Sequence, residues 1–190
     1  MPKLGMEPIR RNALVAATIA EIGEAGTLDV TVSQIARRAG MSSALAHHYF
    51  GGKDQIFLAA MVHILREFGG EVRAALAKAR TPRARLSAVS DACFAPSCFA
   101  PLSISAWMAF YGQANVDEDA ARLLKLYQRR LRANLVHALR PLVEDPREKA
   151  EILAAVIDGL YIRAALSGLA PQDARALMER AISALIGEDK

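Results

Sequence analysis

Cysteine, aromatic residues and long apolar runs are all scarce in this chain. It has two cysteines in 190 residues, one tryptophan, and aromatic side chains at 6% of positions. Cys93 and Cys98 cannot make the disulfide framework that small secreted domains need, so a reducing cytoplasm is the expected compartment. No histidine or second cysteine pair accompanies them at ligand spacing, and no metal or cofactor is expected. No apolar run is long enough to span a bilayer, and the start MPKLGMEPIRR lacks the apolar stretch of a signal peptide, so no membrane role is expected. A Gly-rich phosphate loop and a nucleophile motif are missing too. His47, His48, His63 and His137 show no ligand spacing with carboxylates, which argues against a small helical enzyme. Strand-type alternation is almost absent, whereas hydrophobic residues make up 53% of the chain, with Ala and Leu prominent. That is an all-α composition, long enough to bury a sizeable core.

A further absence is local. The net charge of +4 says little by itself, but no Asp or Glu lies between Thr31 and Lys53, while Arg37, Arg38 and Lys53 are cationic. A surface facing phosphate must exclude carboxylates, since close like charges repel and each cation placed there releases counterions. The same stretch has the grammar of a helix-turn-helix over residues 31–50. Thr31-Val32-Ser33-Gln34 has capping-box form, and Val32, Ile35, Ala36 and Ala39 make an apolar stripe at helical spacing. Gly40 stands where a left-handed residue must end the first helix. Ser42 can cap a second helix running to Phe50, the element that enters the major groove in such units. Ser42, Ser43, His47, His48 and Tyr49 are short or planar polar groups able to reach phosphates or base edges. Any helical hairpin with a solvated face is the plainer reading of the spacing, and the acid-free face argues against a helical dimer that serves only to bind proteins.

The segment G-M-S-x-x-x-x-x-H-Y-F-x-x-K, from Gly40 to Lys53, resembles the DNA-reading segment of the TetR family of transcriptional repressors. The resemblance implies that Tyr49 and Lys53 anchor the operator backbone and that Phe50 is the buried partner fixing the recognition helix. Ala44 and His47 depart from the Gly and Tyr of many members, so base preference is not carried over at those positions. The candidate DNA-binding residues are Thr31, Arg37, Ser42, Ser43, His47, His48, Tyr49 and Lys53.

Periodicity and punctuation order the rest of the chain. Glu7 to Ala25 reads as a first helix with Ile9, Ala13, Ala16, Ala17, Ala20 and Gly23 inward, and Lys3, Arg10 and Arg11 near its start as a basic arm or a solvated surface. From Lys53 to about Arg80, Phe57, Met61, Ile64, Leu65, Phe68, Val72 and Leu76 predict one long helix, with a bend possible at Gly69-Gly70. Thr81-Pro82, Asp145-Pro146 and Pro171 open further helices, Asp117 caps another, and residues 95–101 form a loop or a single short turn. The expected organisation is a DNA-binding domain over 8–68 and a helical ligand-binding and dimerisation domain over 69–190. In the helix from Asp145 to Ser167, Ile152, Ala155, Val156, Gly159, Leu160 and Ile162 cover more than one face and need covering on more than one side. A homodimer meets that need, as does a central helix buried in a monomer; two-fold pairing is what the TetR resemblance implies.

Trp107, Phe110 and Tyr111 share one helix face, and Asp158 and Tyr161 another. Rings with a carboxylate suit a quaternary ammonium, which ring faces attract without a hydrogen bond; ordinary core packing explains the same spacing. MPKLGMEPIRR, AWMAF around Trp107 and IDGLYIRAALSG over Ile157–Gly168 resemble the choline-responsive BetI subfamily, which controls conversion of choline to glycine betaine. That resemblance implies an effector, choline, relieving repression of choline uptake and oxidation genes at operator DNA. A TetR-type regulator answering another hydrophobic or cationic ligand, such as a drug at an efflux gene, is the alternative.

Overall fold

Local signals set the helix starts. In the computed structural model, which describes residues 6–188, the first helices are α1 (Met6–Ala25), α2 (Val32–Arg38), α3 (Ser43–Phe50) and α4 (Lys53–Lys78). They are followed by α5 (Pro82–Cys93), α6 (Pro96–Phe99), α7 (Pro101–Gln113), α8 (Glu118–Leu139), α9 (Pro146–Ser167) and α10 (Pro171–Ile186). There is no strand among the described residues. Proline occupies the first turn of α5, α6, α9 and α10, where its missing N–H has no partner to lose. The short turn expected at 95–101 is α6. Gly69-Gly70 does not interrupt α4. Among the described residues no single helix is long and apolar enough to cross a membrane.

The helices sort into two compact units that interleave in sequence. One runs to Ile64 and resumes over Pro101–Ala121; the other takes Leu65–Ala100 and the chain from Arg122 onward. This grouping places α7 with α1–α3, whereas the contiguous division drawn from the sequence put residues 101–121 beyond the DNA-binding domain.

The first unit is built around Leu14, Ala17 and Ile22 of α1, Ile35 and Ala36 of α2, Ala46 of α3, Ile56 and Phe57 of α4, and Ala106 of α7. The inward stripe expected of α1 is corrected by this core. Ile9 is 61% exposed and Ala16 is exposed, while Leu14, Val15, Thr18 and Ile22 are buried with Ala17 and Gly23. An alanine-rich helix fits several stripes by spacing alone, and burial follows the larger side chains. Thr18 tolerates burial because its hydroxyl donates to the Leu14 carbonyl at 2.7 Å.

Gly23 is where α1 and α7 meet backbone to backbone. A Cβ there would stand 2.8 Å from the Leu102 carbonyl oxygen and 2.9 Å from Leu102 Cα. Neither atom can rotate away. Gly23→Ala is therefore expected to destabilise by about 1–3 kcal/mol through overpacking, against a gain in helix propensity of up to about 1 kcal/mol. The melting temperature should fall by a few degrees in thermal denaturation. A rise would show that α1 and α7 separate freely.

The second unit buries Leu86 and Val89 of α5, Leu131 and Leu135 of α8, Leu153 and Ile157 of α9, and Met178 and Ile182 of α10. Arg83 of α5 pairs with Glu179 at 2.6 Å and Glu188 at 3.0 Å, and Lys149 donates to the Leu185 carbonyl at 2.7 Å. On α8, Tyr127, Leu131, Leu135 and Ala138 form the buried seam expected from the sequence, with Leu124 half-buried.

Candidate nucleic-acid interface and effector residues

The helix-turn-helix is assembled by its caps. Thr31 Oγ1 accepts from the Gln34 amide at 3.2 Å and its own amide donates to Gln34 Oε1 at 2.7 Å, completing the capping box. Gly40 adopts φ +66°, and the Met41 amide returns to the Ala36 carbonyl at 2.8 Å, closing the turn. Ser42 caps α3 by accepting from the Leu45 amide at 3.2 Å. Across the turn, Ser43 Oγ donates to Ser33 Oγ at 3.0 Å, joining α3 to α2. Ala46 and the α2 residues Ile35 and Ala36 hold the buried side of the pair, with Val32, Ala39, Met41, Tyr49 and Phe50 packed against them. Phe50, expected to be buried, is half-buried and holds its place at the core edge.

Arg37, His47 and His48 are exposed on the outer side of the motif. His47 Nδ1 lies 3.1 Å from the Gly51 carbonyl oxygen; a carbonyl only accepts, so this nitrogen is the donor. Lys53 opens α4 directly after Gly52, which has no side chain to cap the first-turn amides. Its Nζ lies 5.3 Å from the Phe57 ring centroid. A cation at a helix start favours a phosphate oxygen, with the first-turn carboxylate of Asp54 opposing it.

Two arginines at the start of α1 take up the other end of α3. Arg10 Nη1 donates to the Tyr49 hydroxyl at 3.4 Å, and the Arg11 guanidinium sits 4.6 Å above the Phe50 ring. Arg10 and Arg11 lie within α1 rather than on a flexible arm, and meet α3 at Tyr49 and Phe50; Lys3 lies outside the described residues.

Arg38, one of the cations of the carboxylate-free stretch, is neutralised from elsewhere. Its Nε meets Glu21 at 2.6 Å, and its other nitrogens meet Glu24, both on α1. The hydrogen bond to Arg38, reinforced by its charge, holds the Glu24 carboxyl below its ordinary value of 4.5. Because the folded value is the lower one, the pair contributes fully above that ordinary value and its contribution fades as the carboxyl protonates below it. Glu24→Gln is expected to lower the melting temperature near neutrality and to leave it less sensitive to acid between about pH 5 and pH 3. Parallel melting curves for the two proteins across that range would remove this role.

The residues considered for an effector divide between the units. Trp107, Phe110 and Tyr111 belong to the first, where Trp107 contacts Phe110 at 5.4 Å and Tyr111 edge-on at 5.5 Å between ring centroids. Trp107 and Phe110 are buried. Asp158 and Tyr161 belong to the second. There Tyr161 meets Phe99 edge-on at 5.1 Å and Phe94 at 6.2 Å, and its hydroxyl donates to the Cys93 carbonyl. Sequence reasoning missed Phe94 and Phe99, because they flank an irregular turn where no periodicity marks a shared face. It missed Ser90 as well, a buried hydroxyl with no hydrogen-bond partner among the described residues. Desolvation drives the buried Cys93 thiol far above its ordinary value, which leaves it an inert packing group.

Residues 14–60 match the family model of the bacterial regulatory proteins of the tetR family, and residues 82–187 match that of the BetI-type transcriptional repressor, C-terminal. The chain belongs to the TetR family, in its BetI-type branch. It is 52% identical over 179 residues to the HTH-type transcriptional regulator BetI of Brucella anthropi, covering 93% of this chain and 92% of that one. The regulator of the same name from Rhizobium meliloti is 51% identical over 168 residues, 87% and 83% of the two chains. Among solved structures, a putative transcriptional regulator from Pseudomonas aeruginosa PAO1 superposes with a TM-score of 0.83 at 28% identity, over 97% of this chain and 93% of that one. A putative transcriptional regulator from Saccharomonospora viridis in complex with choline shares the fold, with a TM-score of 0.78 at 20% identity over 91% and 95%. As a BetI-type transcriptional repressor the chain is a regulator and not an enzyme, and the helix-turn-helix described above is its DNA-binding element.

Proposed function

We propose that this repressor binds, as a homodimer, the operator of genes for choline uptake and conversion to glycine betaine, and that choline relieves repression. The observation carrying this reading is the BetI-type match, which runs through α5–α10 and is accompanied by half-identity to BetI regulators over almost the whole chain. The choline complex of the S. viridis regulator supports the ligand class. In the first unit, Trp107, Phe110 and Tyr111 supply ring faces suited to a trimethylammonium group; in the second, Asp158 and Tyr161 supply a carboxylate and a further ring. Residues 8–68 read DNA and residues 69–190 take effector and partner.

Coupling is served by α7. It carries Trp107 and Phe110 and packs on α1, with Ala106 in the same core as Leu14, Ile35 and Ala46. Displacement of α7 by a ligand would therefore press on the helix that braces Tyr49 and Phe50. Dimerisation is supported by α9, whose outward side carries exposed Ile152, Ile162 and Leu166, the last 82% exposed, around Ala155 and Gly159. An apolar stripe on an outer helix face suits a two-fold partner that presents the same stripe.

Calorimetric titration of the full chain with choline, with and without DNA from upstream of its own gene, tests the proposal. Choline should weaken operator binding, and operator should weaken choline binding by the same factor. Trp107→Ala is expected to lose about 3–5 kcal/mol of stability, so Trp107→Phe, which keeps a ring, accompanies it. A folded Trp107→Phe should bind choline more weakly, since indole is the better face for a cation. No heat with choline, alongside normal operator binding, would leave a TetR-type repressor with a different ligand.

A further inference from the structure

Away from the residues assigned to DNA and to choline, the second unit has a groove of about 430 Å³ lined by α8 and the start of α9. Arg129, Arg132, Ala133, Val136, His137 and Arg140 come from α8 at steps of three and one, a single continuous helix face. Arg147 and Glu151 close it from α9, one turn apart. Four guanidinium groups and one imidazole thus share a groove with a single carboxylate. Glu151 is taken by Arg132, at 2.5 Å. Arg129, Arg140 and Arg147 have no carboxylate partner among the described residues.

Within this lining cations outnumber carboxylates. The whole chain has 24 basic and 20 acidic side chains, enough carboxylates to intersperse, as in a solvated face stabilised by neighbouring pairs. Instead the groove lining gathers four exposed arginines with one carboxylate, and solvent weakens the repulsion between them. Ala133, exposed, and Val136, half-buried, are the small apolar members of the lining. Guanidinium groups bind oxyanions through two parallel N–H donors, and several forks around one groove suit a ligand with several anionic oxygens. The volume lies within the range of small-molecule sites.

We propose that this groove binds a small phosphate-bearing anion of high charge density, of the di- or triphosphate class. The reading is independent of the operator and of choline. Inorganic tripolyphosphate is the probe, titrated calorimetrically into the full chain at a constant ionic strength of roughly 0.15 M, where weak surface attraction is largely screened. One tripolyphosphate per chain should bind. Arg129→Ala/Arg140→Ala should weaken it about tenfold or more with helical content and oligomeric state unchanged. Glu151→Gln, which frees Arg132 and removes the one negative charge, should tighten it several-fold; a purely structural role for these residues would not move affinity in that direction.

Lys53→Ala controls for the helix-turn-helix and should leave tripolyphosphate binding intact. Equal affinity for the wild type and the double variant would overturn the proposal, as would loss of binding in Lys53→Ala, which would trace the heat to the DNA surface. Citrate binding as tightly as tripolyphosphate would overturn the phosphate assignment. A double variant that changes oligomeric state while keeping its tripolyphosphate heat would make the groove a contact between copies of the chain, and would overturn it too.

Discussion

Lys53→Ala lowers operator affinity by about tenfold to a hundredfold, the range for losing a charge-assisted hydrogen bond of about 1.5–3 kcal/mol. It also lowers the slope of log affinity against log salt by about one, because one fewer counterion is released. The expectation follows from position. Lys53 stands at the start of α4, immediately after α3, the position proposed for it as an anchor of the operator backbone. Its side chain lies half-exposed beside Phe57 and holds no core element together; the fold should survive its loss. Tyr49→Phe should act in the same direction more weakly, since it removes one neutral hydroxyl and the Arg10 contact made to it. Mobility-shift titrations at two salt concentrations measure both quantities. An unchanged salt slope in Lys53→Ala would remove the lysine from the phosphate contacts.

Ile35→Ala reaches the same loss of repression by another route. Ile35 is fully buried where α2 meets α1, α3 and α4. Truncation leaves a cavity in a core that cannot fully collapse, at a cost of about 2–5 kcal/mol. That is a large share of a typical stability of about 5–15 kcal/mol. The melting temperature should drop, and operator binding should fail wherever the module has unfolded. Lys53→Ala melts like the wild type and binds poorly; Ile35→Ala binds in proportion to its folded fraction. If Ile35→Ala melted normally, the core drawn around Leu14, Ile35 and Ala46 would be wrong.

The helix-turn-helix was legible because every signal that makes it is local. Thr31 and Gln34 are three residues apart, Gly40 needs only its own left-handed φ, and Ser42 caps amides within its own turn. The proline starts of α5, α9 and α10 are local in the same sense. The helix α1 shows where this reasoning stops. Ile9 and Ala16 have the right spacing for an inward stripe and lie exposed, while Leu14 and Ile22 are buried, because which face turns inward depends on α2 and α7. Arg38 makes the same point with charge. It belongs to a stretch with no acids of its own, yet two glutamates seventeen and fourteen residues earlier claim it.

The order of residues alone determined that the chain is helical, where most helices begin and stop, and that residues 31–53 form a helix-turn-helix without an acid of its own, because caps, prolines, glycines and apolar periods act within a turn or two of helix. Tertiary structure alone decided that Arg10 and Arg11 brace Tyr49 and Phe50, that Gly23 lets α7 lie against α1, that Phe94 and Phe99 gather around Tyr161, and that arginines of α8 and α9 share one groove. Those groupings join residues distant in sequence, or on different helices, and spacing along one helix carries no information about which neighbour a face will meet.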